Sequence, residues 1–299
     1  MIWYVEDQRG SAGQDVGNRR GRDPTLGSSI YRVSAEGEPI ILPGVGGITY
    51  NVRVGDLATG WMADHVEPGV SLENRVSDSR NPQGQSRALN VLSCVGNEAV
   101  VVKGDAKGEK GVVVGKHGGI EHVMVDFQPE VMERLVIEDR VMVKAFGVGL
   151  KLLDIPEVAV YNLDPGFLEA IGPEIVGGKL RVPVTHLVPA AVMGSGLGRN
   201  HVSSGDYDIN LHCPVTVGEC GLEDLRMGDL VAITDADQTY GRIYRRGAVS
   251  VGIVTHSDCV TAGHGPGVTT LFTSRTGMIE PVVDAGANVA RILGLSDDL

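Results

Sequence analysis

Several features that mark common protein classes are scarce or absent in this sequence. Aromatic residues make up only 4% of the chain, and its four cysteines, Cys94, Cys213, Cys220 and Cys259, form no C-x-x-C pair. A disulfide-stapled fold is therefore excluded, and we expect the cysteines to be reduced. No apolar run approaches the roughly 20 residues that a membrane helix needs, so no membrane association is expected.

Basic charge is also in short supply. Lysine and arginine number 26 against 38 acidic residues, which gives a formal net charge of -12. A broad nucleic-acid or anionic-membrane surface is excluded because phosphate binding needs a basic face. The N-terminus, MIWYVEDQRG, lacks the apolar stretch of a signal peptide. We therefore expect a cytoplasmic homo-oligomer whose partner is a small-molecule ligand.

Glycine is abundant instead, with 42 glycines among 299 residues, about twice the roughly 7% of average usage. Short β-prone runs punctuated by glycine and proline alternate along most of the chain, which predicts strands joined by tight turns. The expected fold class is mainly β (α+β), with small β-barrel-like or sandwich-like halves, few short helices and a C-terminal helix.

Individual elements follow from local patterns. Residues 88–94 read as a strand, whereas the predicted helices cover 129–135, 165–171, 222–225 and a C-terminal stretch around 283–293. A recurring unit places Gly-Asp or Glu-Asp before an apolar strand, at Asp139 and Asp229 and more faintly at Asp56. The expected role of these carboxylates is structural, as caps of turn amides.

Composition suggests three segments. Residues 1–27 mix Gly, Asp, Arg, Gln and Ser, and we expect a disordered extension outside the fold. Residues 28–155 would form an N-terminal β-rich half. Residues 156–299 would form a C-terminal β-rich half, after a proline-rich connection.

The first chemical pattern lies at 204–212. If this segment is a strand, its period of two places Asp206, Asp208, Asn210 and His212 on one face. Two carboxylates, an amide and an imidazole are donors for a divalent cation such as Zn, Mn or Mg. A solvated face of a half-exposed sheet is the alternative.

A stronger pattern follows the valine-rich run 246–254. The chain passes from this buried strand into His256 and Asp258, and then into a glycine-rich loop that carries Gly263, His264 and Gly265. Ionisable residues at the end of a buried strand are typical of active sites. Imidazole and carboxylate at this spacing can bind a metal or form a general-base pair, or they can simply close a turn by a hydrogen bond.

Two clusters in the N-terminal half add further candidates. The first contains Asp64, His65 and Glu67, and the second contains Lys116, His117 and His122. His117 and Lys116 at a hairpin tip would assist the oxyanion or the leaving group. A surface hairpin is the alternative, and the apolar neighbours of His122 indicate a core position.

The run Gly194-Ser195-Gly196-Leu197-Gly198-Arg199-Asn200 resembles a phosphate cradle, but no amphipathic helix follows it. A nucleotide cofactor is therefore not expected, and the run is interpreted as a tight turn or an anion nest with Arg199. Cys259 is a less favoured nucleophile because its valine-rich surroundings oppose a low thiol pKa.

Seven motifs together resemble the prokaryotic family known as domain of unknown function 4438. They are ILPGVGGITY from Ile41, DHVEPGVS from Asp64, LNVLSCVGNEA from Leu89, GKHGGIEH from Gly115, MGSGLG from Met193, SGDYDI from Ser204 and HSDCVTAGHGPG from His256. The resemblance covers roughly residues 28–296 and implies no catalytic residues, because the family is functionally uncharacterised. A fainter similarity is to acetamidase and formamidase proteins.

These patterns support two hypotheses. In the first, the chain is a metal-dependent hydrolase acting on an amide or related C–N bond of a small polar substrate. The metal ligands would come from Asp206, Asp208, His256, Asp258 and His264. The catalytic residues would be His256, Asp258, His117 and Lys116. The substrate would be bound by His65, Glu67, Gly263, Gly265 and Arg199. In the second, the same residues bind a small molecule or anion without turnover, or staple a subunit contact.

Overall fold

A computed structural model describes residues 2–5, 32–41, 45–61, 63–74 and 84–296, with the backbone alone for 2–5. The strands of the N-terminal part are β1 (Ile2–Val5), β2 (Arg32–Val33), β3 (Pro39–Ile40), β4 (Ile48–Thr49), β5 (Gly69–Glu73), β6 (Glu98–Lys103), β7 (Lys110–His117), β8 (His122–Phe127) and β9 (Arg140–Val143). The later strands are β10 (Ala159–Val160), β11 (Glu174–Val176), β12 (Lys179–Val184), β13 (His186–Pro189), β14 (Leu230–Asp237), β15 (Ile243–Val254), β16 (Val268–Ser274) and β17 (Ile279–Val283). The helices are α1 (Gly84–Leu92), α2 (Pro129–Met132), α3 (Pro165–Ile171), α4 (Pro214–Cys220) and α5 (Val289–Ile292), with a 3₁₀ turn at Ala190–Val192. The prediction of a mainly β fold is confirmed.

The largest sheet belongs to the N-terminal part and has the strand order β1-β9-β6-β7-β8-β5-β4. β1 pairs antiparallel with β9 and also with β5. The expectation that residues 1–27 lie outside the fold was therefore wrong for residues 2–5, whose Ile-Trp-Tyr-Val sequence has a high β propensity. Residues 6–27 lie outside the described residues.

The C-terminal part contains a five-stranded sheet of order β10-β16-β15-β14-β13 and a smaller sheet of order β11-β12-β17. Most pairs are antiparallel, and β13 with β14 and β12 with β17 are parallel. In the described part of the chain the five-stranded sheet stays open, because its end strands β10 and β13 do not pair. The expected barrel-like closure is thus not formed here.

The two parts pack against each other across β8, which is buried along its whole length, and the second half of β7. Val113 and Val125 face a core formed by the N-terminal sheet. Val114 and Met124, their neighbours in sequence, instead join a core that includes Leu230 and other residues of the C-terminal part. This alternation follows from the period of two of a strand. The ends of β7 and β8 are thereby held against the C-terminal sheet.

The three Asp residues of the recurring unit cap turns as predicted. A carboxylate oxygen of Asp56, Asp139 and Asp229 accepts a hydrogen bond from the amide three residues earlier, at 2.7, 3.0 and 2.8 Å respectively. Each such bond satisfies a turn amide that would otherwise lack a partner. The structural role of these carboxylates is confirmed.

The helix predictions were only partly correct. α3 matches the predicted range, with Asp164 capping its first turn. Residues 88–94, predicted as a strand, lie mostly in α1 instead. No helix forms at 222–225, because the left-handed Gly221 ends α4 just before it. The C-terminal helix is reduced to α5 because β17 extends to Val283. Among the described residues, no helix combines the length and apolar character needed to cross a membrane.

Candidate metal centre

A cavity of about 210 Å³ lies where the two parts of the chain meet. Its lining combines polar side chains from distant positions in the sequence, namely His65, His117, Asp206, Asp208 and His264. The prediction that the C-terminal half carries the site was therefore incomplete, because two of these histidines belong to the N-terminal half. The separate polar clusters of the sequence form one site.

Strand ends and tight turns bring these residues together. His117 is the last residue of β7, and His256 follows the end of β15 by two residues. Asp206 and Asp208 alternate along an extended segment that bridges to Gly267 through Asp208. His65 has a left-handed backbone with φ of 49°, which is uncommon for a residue other than glycine. The fold therefore fixes these side chains from several independent elements.

The outer nitrogen of His117 is held by a buried carboxylate. Its Nδ1 lies 2.5 Å from Oε1 of Glu67. The same carboxylate also contacts Nδ1 of His122 at 3.0 Å and accepts a hydrogen bond from the Ser71 hydroxyl. Burial opposes the charge of Glu67, but His122 and His117 hold the pKa of its carboxyl well below the usual value. A charged Glu67 accepts the Nδ1 proton and leaves Nε2 of His117 free.

His65 is oriented in the same manner. Its Nδ1 lies 2.6 Å from Oδ1 of Asp64, whose other oxygen pairs with Arg32 at 2.7 Å. The Cys259 thiol donates to the same carboxylate at 3.3 Å. On the inner side, Nε2 of His65 lies 3.2 Å from Nδ1 of His264. Asp64 is thus a positioning residue that aims Nε2 into the cavity.

His256 completes the pattern with a backbone acceptor. Its Nδ1 lies 2.9 Å from the carbonyl oxygen of Ser257, and because a carbonyl can only accept, Nδ1 carries the proton. The opposite nitrogen, Nε2, faces Oδ2 of Asp206 at 2.6 Å. The His256 and His117 rings stack with centroids 4.3 Å apart.

The buried histidines and aspartates of the cavity have pKa values shifted from their usual ones. Burial would lower the pKa of His65, but the hydrogen bonds to Asp208 and Asp64 raise it to about 12. Likewise, Asp206 raises the pKa of His256 against the effect of burial. The pKa of Asp206 is lowered despite burial, because His117 and His256 stabilise its charge. Perturbed buried groups that converge on a cavity are a mark of functional sites.

Among the described residues, three groups of side chains are close enough to hold an ion: Asp64, His65 and Cys259 form one, and the other two, each with two imidazoles and one carboxylate, gather at the cavity. One set is His117, Asp206 and His256, and the other is His65, Asp208 and His264. Two ligand atoms of one zinc ion lie at most about 4.4 Å apart, given metal–ligand distances of about 2.0–2.2 Å. The atoms within each set all lie within 4.8 Å of one another. In the second set the ligand atoms lie 3.1 to 3.8 Å apart, which matches the size of a metal site. In the first set His256 and Asp206 are hydrogen-bonded, and the three ligand atoms would need only a small adjustment to surround one ion.

Gly267 makes room for the first set. A Cβ at this position would lie 2.2 Å from Nε2 of His256 and 2.3 Å from Oδ2 of Asp206. Any side chain there would push these two atoms apart. Only glycine is compatible with the observed arrangement.

Asp258 is placed differently from the prediction. Its carboxylate accepts hydrogen bonds from the amides of Gly60 at 2.7 Å and Trp61 at 3.3 Å, and it does not line the cavity. Burial raises the pKa of this carboxyl. The prediction that Asp258 projects beside His256 was wrong, because the chain turns after β15 and the carboxylate caps a neighbouring loop.

Lys116 was also expected at the reaction centre, but its side chain points away from the cavity. Its Nζ donates to Oδ1 of Asn162 at 2.8 Å and to the Ser203 carbonyl at 3.1 Å. Successive residues of a strand face opposite sides, so His117 and Lys116 cannot both reach the cavity. Burial lowers the pKa of Lys116 to about 7.

The remaining candidates divide between the cavity and its surroundings. Arg199 lines the cavity, whereas Gly263 and Gly265 do not. Both glycines lie where the backbone packs closely. The Gly263 carbonyl accepts a hydrogen bond from the Ser195 amide at 2.6 Å, and a Cβ on Gly265 would overlap the Ile209 carbonyl. Asn210 and His212, expected on the face of Asp206, bond elsewhere: the Asn210 side chain accepts from the His212 amide.

Sequence reasoning missed Arg242, which is fully buried behind the cavity wall. It follows the run Gln238-Thr239-Tyr240-Gly241 and stands just before β15, where no local pattern indicates burial. Arg32 was missed for a similar reason, because its ion pair with Asp64 joins positions far apart in the chain.

Comparisons with known proteins agree on the family. The model described as "Domain of unknown function (DUF4438), N-terminal" matches residues 31–169, and the model for the C-terminal domain of the same family matches residues 171–293. A solved structure described as "Crystal structure of TM1086" is 44% identical, with a TM-score of 0.83, and the match covers 97% of this chain and 93% of that one. No curated protein matches. The chain therefore belongs to the DUF4438 family, with the cavity built at the meeting of its N-terminal and C-terminal domains.

Proposed function

We propose that this chain is a metal-dependent hydrolase that cleaves an amide or related C–N bond of a small polar substrate. One observation supports this proposal above the others. The imidazoles of His65, His117 and His256 each have Nδ1 bound to an oxygen acceptor. Nε2 of His65 faces Asp208, Nε2 of His256 faces Asp206, and His117 shares a ligand set with Asp206 and His256. Metal-ligating histidines have this arrangement, because the outer acceptor fixes the tautomer and raises the basicity of the inner nitrogen.

The donor set narrows the choice of metal. Imidazole nitrogen suits zinc and other late transition metals, whereas magnesium prefers carboxylate, carbonyl and water oxygens. Four histidines and two aspartates therefore favour zinc over manganese and magnesium among the ions considered from the sequence. Bound at the two ligand sets, a divalent ion would supply Lewis acidity that lowers the pKa of a water molecule and polarises a substrate carbonyl.

The protein's own residues supply position and selectivity. Glu67 and Asp64 hold His117 and His65 in place, so little reorganisation is needed when the inner nitrogens bind. His264 is 35% exposed in its side chain and stands at the cavity mouth, where it can reach both the ligand set and an entering substrate. A cavity of about 210 Å³ is below the roughly 300–1,000 Å³ of drug-sized sites, so the substrate must be small.

Metal analysis of the purified protein tests the first half of the proposal. We expect stoichiometric zinc without added ions, and at least a tenfold loss of metal affinity in His256→Ala. His201→Ala is the matched control, because His201 is exposed and outside the cavity. A chain that arrives without metal and binds none at micromolar concentration would contradict the proposal.

Turnover tests the second half. The metal-loaded protein should hydrolyse at least one member of a panel of small amides and related C–N compounds, with activity lost in His256→Ala and retained in His201→Ala. A metal-bearing protein that binds small molecules without forming product would instead support the alternative of a non-enzymatic binding protein.

A further inference from the structure

Arg242 is a buried guanidinium close to the cavity that makes no side-chain hydrogen bond with the described residues. Its side chain is fully buried, and Nε, Nη1 and Nη2 have no hydrogen-bond partner among the described residues. A buried guanidinium without partners is costly, because it loses its hydration and gains no hydrogen bonds in return. The Tyr207 ring, 5.7 Å from Cζ, and the charges of Asp206 and Asp208 offset part of this cost, which ties the guanidinium to the carboxylates of the cavity.

Arg242 lies directly behind one wall of the cavity. Its backbone amide donates to the Arg199 carbonyl at 3.0 Å, and its own carbonyl accepts from the Gly198 amide at 2.9 Å. The side chain then runs beneath the loop 194–199, where Nη1 lies 3.3 Å from the position that a Cβ of Gly196 would occupy. Gly196 itself lines the cavity. The guanidinium is thus close enough to act on the cavity electrostatically.

Arg199 offers a second guanidinium on the cavity side of the same loop. It lines the cavity and is exposed, and no described residue forms a side-chain hydrogen bond or ion pair with it. Its Nη1 reaches across the mouth to within 3.3 Å of the position that a Cβ of Gly118 would take. The Gly196 amide, between the two arginines, also donates to no described residue. Unused donors therefore gather at this end of the cavity.

The net charge of the cavity with a metal ion bound also favours an anionic ligand. The carboxylates at or beside the cavity are Asp64, Glu67, Asp206 and Asp208. The guanidinium groups there are Arg32, Arg199 and Arg242. With the ligand histidines neutral, as metal binding requires, these seven charges of the described residues leave one net negative charge, so even a single divalent ion makes the cavity positive. In a protein of formal net charge -12, that local excess selects an anion.

We propose that the substrate carries an anionic group, a carboxylate or a phosphate, that binds against the loop 194–199 while the scissile bond faces the histidines. Arg199 binds the anion directly, and its planar fork suits the two oxygens of such a group. Arg242 is a positioning residue that acts through its charge behind Gly196. This inference rests on the proposed metal centre, which supplies the remaining positive charge.

Anion binding to the metal-loaded protein tests this subsite without any assay of turnover. Isothermal titration calorimetry at constant ionic strength would use inorganic phosphate in one arm and acetate in the other. We expect one site per chain, with affinity for at least one of the two anions reduced tenfold or more by Arg199→Gln and less by Arg199→Lys, which keeps the charge but loses the fork. The anion that shows this dependence identifies the chemical class.

Arg242→Met separates a positioning role from a structural one. Loss of a buried charge that makes no side-chain hydrogen bond should change Tm little or raise it, while anion affinity falls severalfold. Arg245→Gln is the matched control, because Arg245 is exposed on β15 and should bind the anions as the parent chain does. A lower Tm with unchanged anion affinity would show that Arg242 only supports the fold.

The outcomes distinguish the two proposals. A metal-loaded chain that binds neither anion, or binds them equally well in the parent and in Arg199→Gln, overturns the subsite and leaves the metal centre standing. A chain that binds no metal contradicts both, since the positive charge on which the subsite depends is then missing. Metal analysis of each variant establishes which case applies, and Arg199→Gln keeps the test decisive if Arg242→Met does not fold.

Discussion

Oε1 of Glu67 lies 2.5 Å from Nδ1 of His117, with both side chains buried. A carboxylate in this position orients a histidine and makes its other nitrogen a better metal ligand, and loss of such a partner typically costs 10–100-fold in affinity. We therefore expect Glu67→Gln to weaken metal binding within that range, although Glu67 binds no metal itself.

Competition with a chromophoric chelator measures this effect. Glu133→Gln is a suitable control, because Glu133 is exposed and distant from the cavity. Equal affinity in Glu67→Gln and the parent would mean that the Glu67–His117 hydrogen bond has no bearing on metal binding.

A single methyl group at position 267 should disrupt the centre. Gly267→Ala places a Cβ between His256 and Asp206, so these ligand atoms must separate. We expect metal affinity to fall at least tenfold, as measured by equilibrium dialysis. Gly218→Ala, in α4, adds the same methyl group where only a flexible Glu223 oxygen is near, and a helix tolerates alanine better than glycine. Retained metal in both variants would argue against the first ligand set.

Asp206 and Asp258 make a matched pair, since both were expected to bind metal. Asp206→Asn removes a charged ligand atom and should abolish tight metal binding. Asp258→Asn should keep the metal, because the carboxylate caps the Gly60 and Trp61 amides instead. Its cost should appear as a free energy of unfolding lower by about 1–2 kcal/mol. Metal analysis and urea denaturation of both variants check this division, and the reverse pattern would contradict it.

The buried turn residue Asp229 should impose a measurable pH dependence. Burial raises the pKa of its carboxyl from 3.8, although Asn288 and the Arg226 amide donate to it. Between the unfolded and folded pKa values, the folded chain keeps a proton that the unfolded chain has lost. The free energy of unfolding therefore falls as pH rises through this window, by about 1.4 kcal/mol for each unit of pKa difference.

Asp229→Asn lacks this titration. The difference in unfolding free energy, parent minus variant, should thus decrease between about pH 3.8 and the folded pKa of Asp229. Urea denaturation at several pH values from 3.5 to 6 measures it. A difference that stays constant or increases over this range would show that burial does not raise the pKa of Asp229.

The sequence located most of the cavity residues because strand ends and glycine loops leave local signals. The alternation of Asp206 and Asp208 predicted that both carboxylates share a side, and His256 and His264 follow a recognisable buried strand. The same reasoning failed for Asp258, because a turn after β15 sends the carboxylate to another loop. Spacing along the chain cannot reveal where a turn reverses direction.

Long-range pairings were beyond local pattern analysis. Arg32 meets Asp64, and Arg242 lies behind Gly196, through the packing of segments far apart in sequence. The strand predicted at 88–94 failed because its apolar residues suit either element, and packing against β8 selects the helix α1. Fold class was predictable from glycine-punctuated strands, whereas these contacts depend on tertiary structure.

Because the two ligand sets take His65 and His117 from one domain and Asp206, Asp208, His256 and His264 from the other, neither domain alone contains a complete set. Each domain expressed alone should bind metal only weakly. Mixing the two domains should restore tight metal binding only if they associate as in the full chain. The amount of bound metal therefore reports whether the two domains are correctly assembled. A chimera that replaces one domain must keep the relative positions of the ligands from both domains.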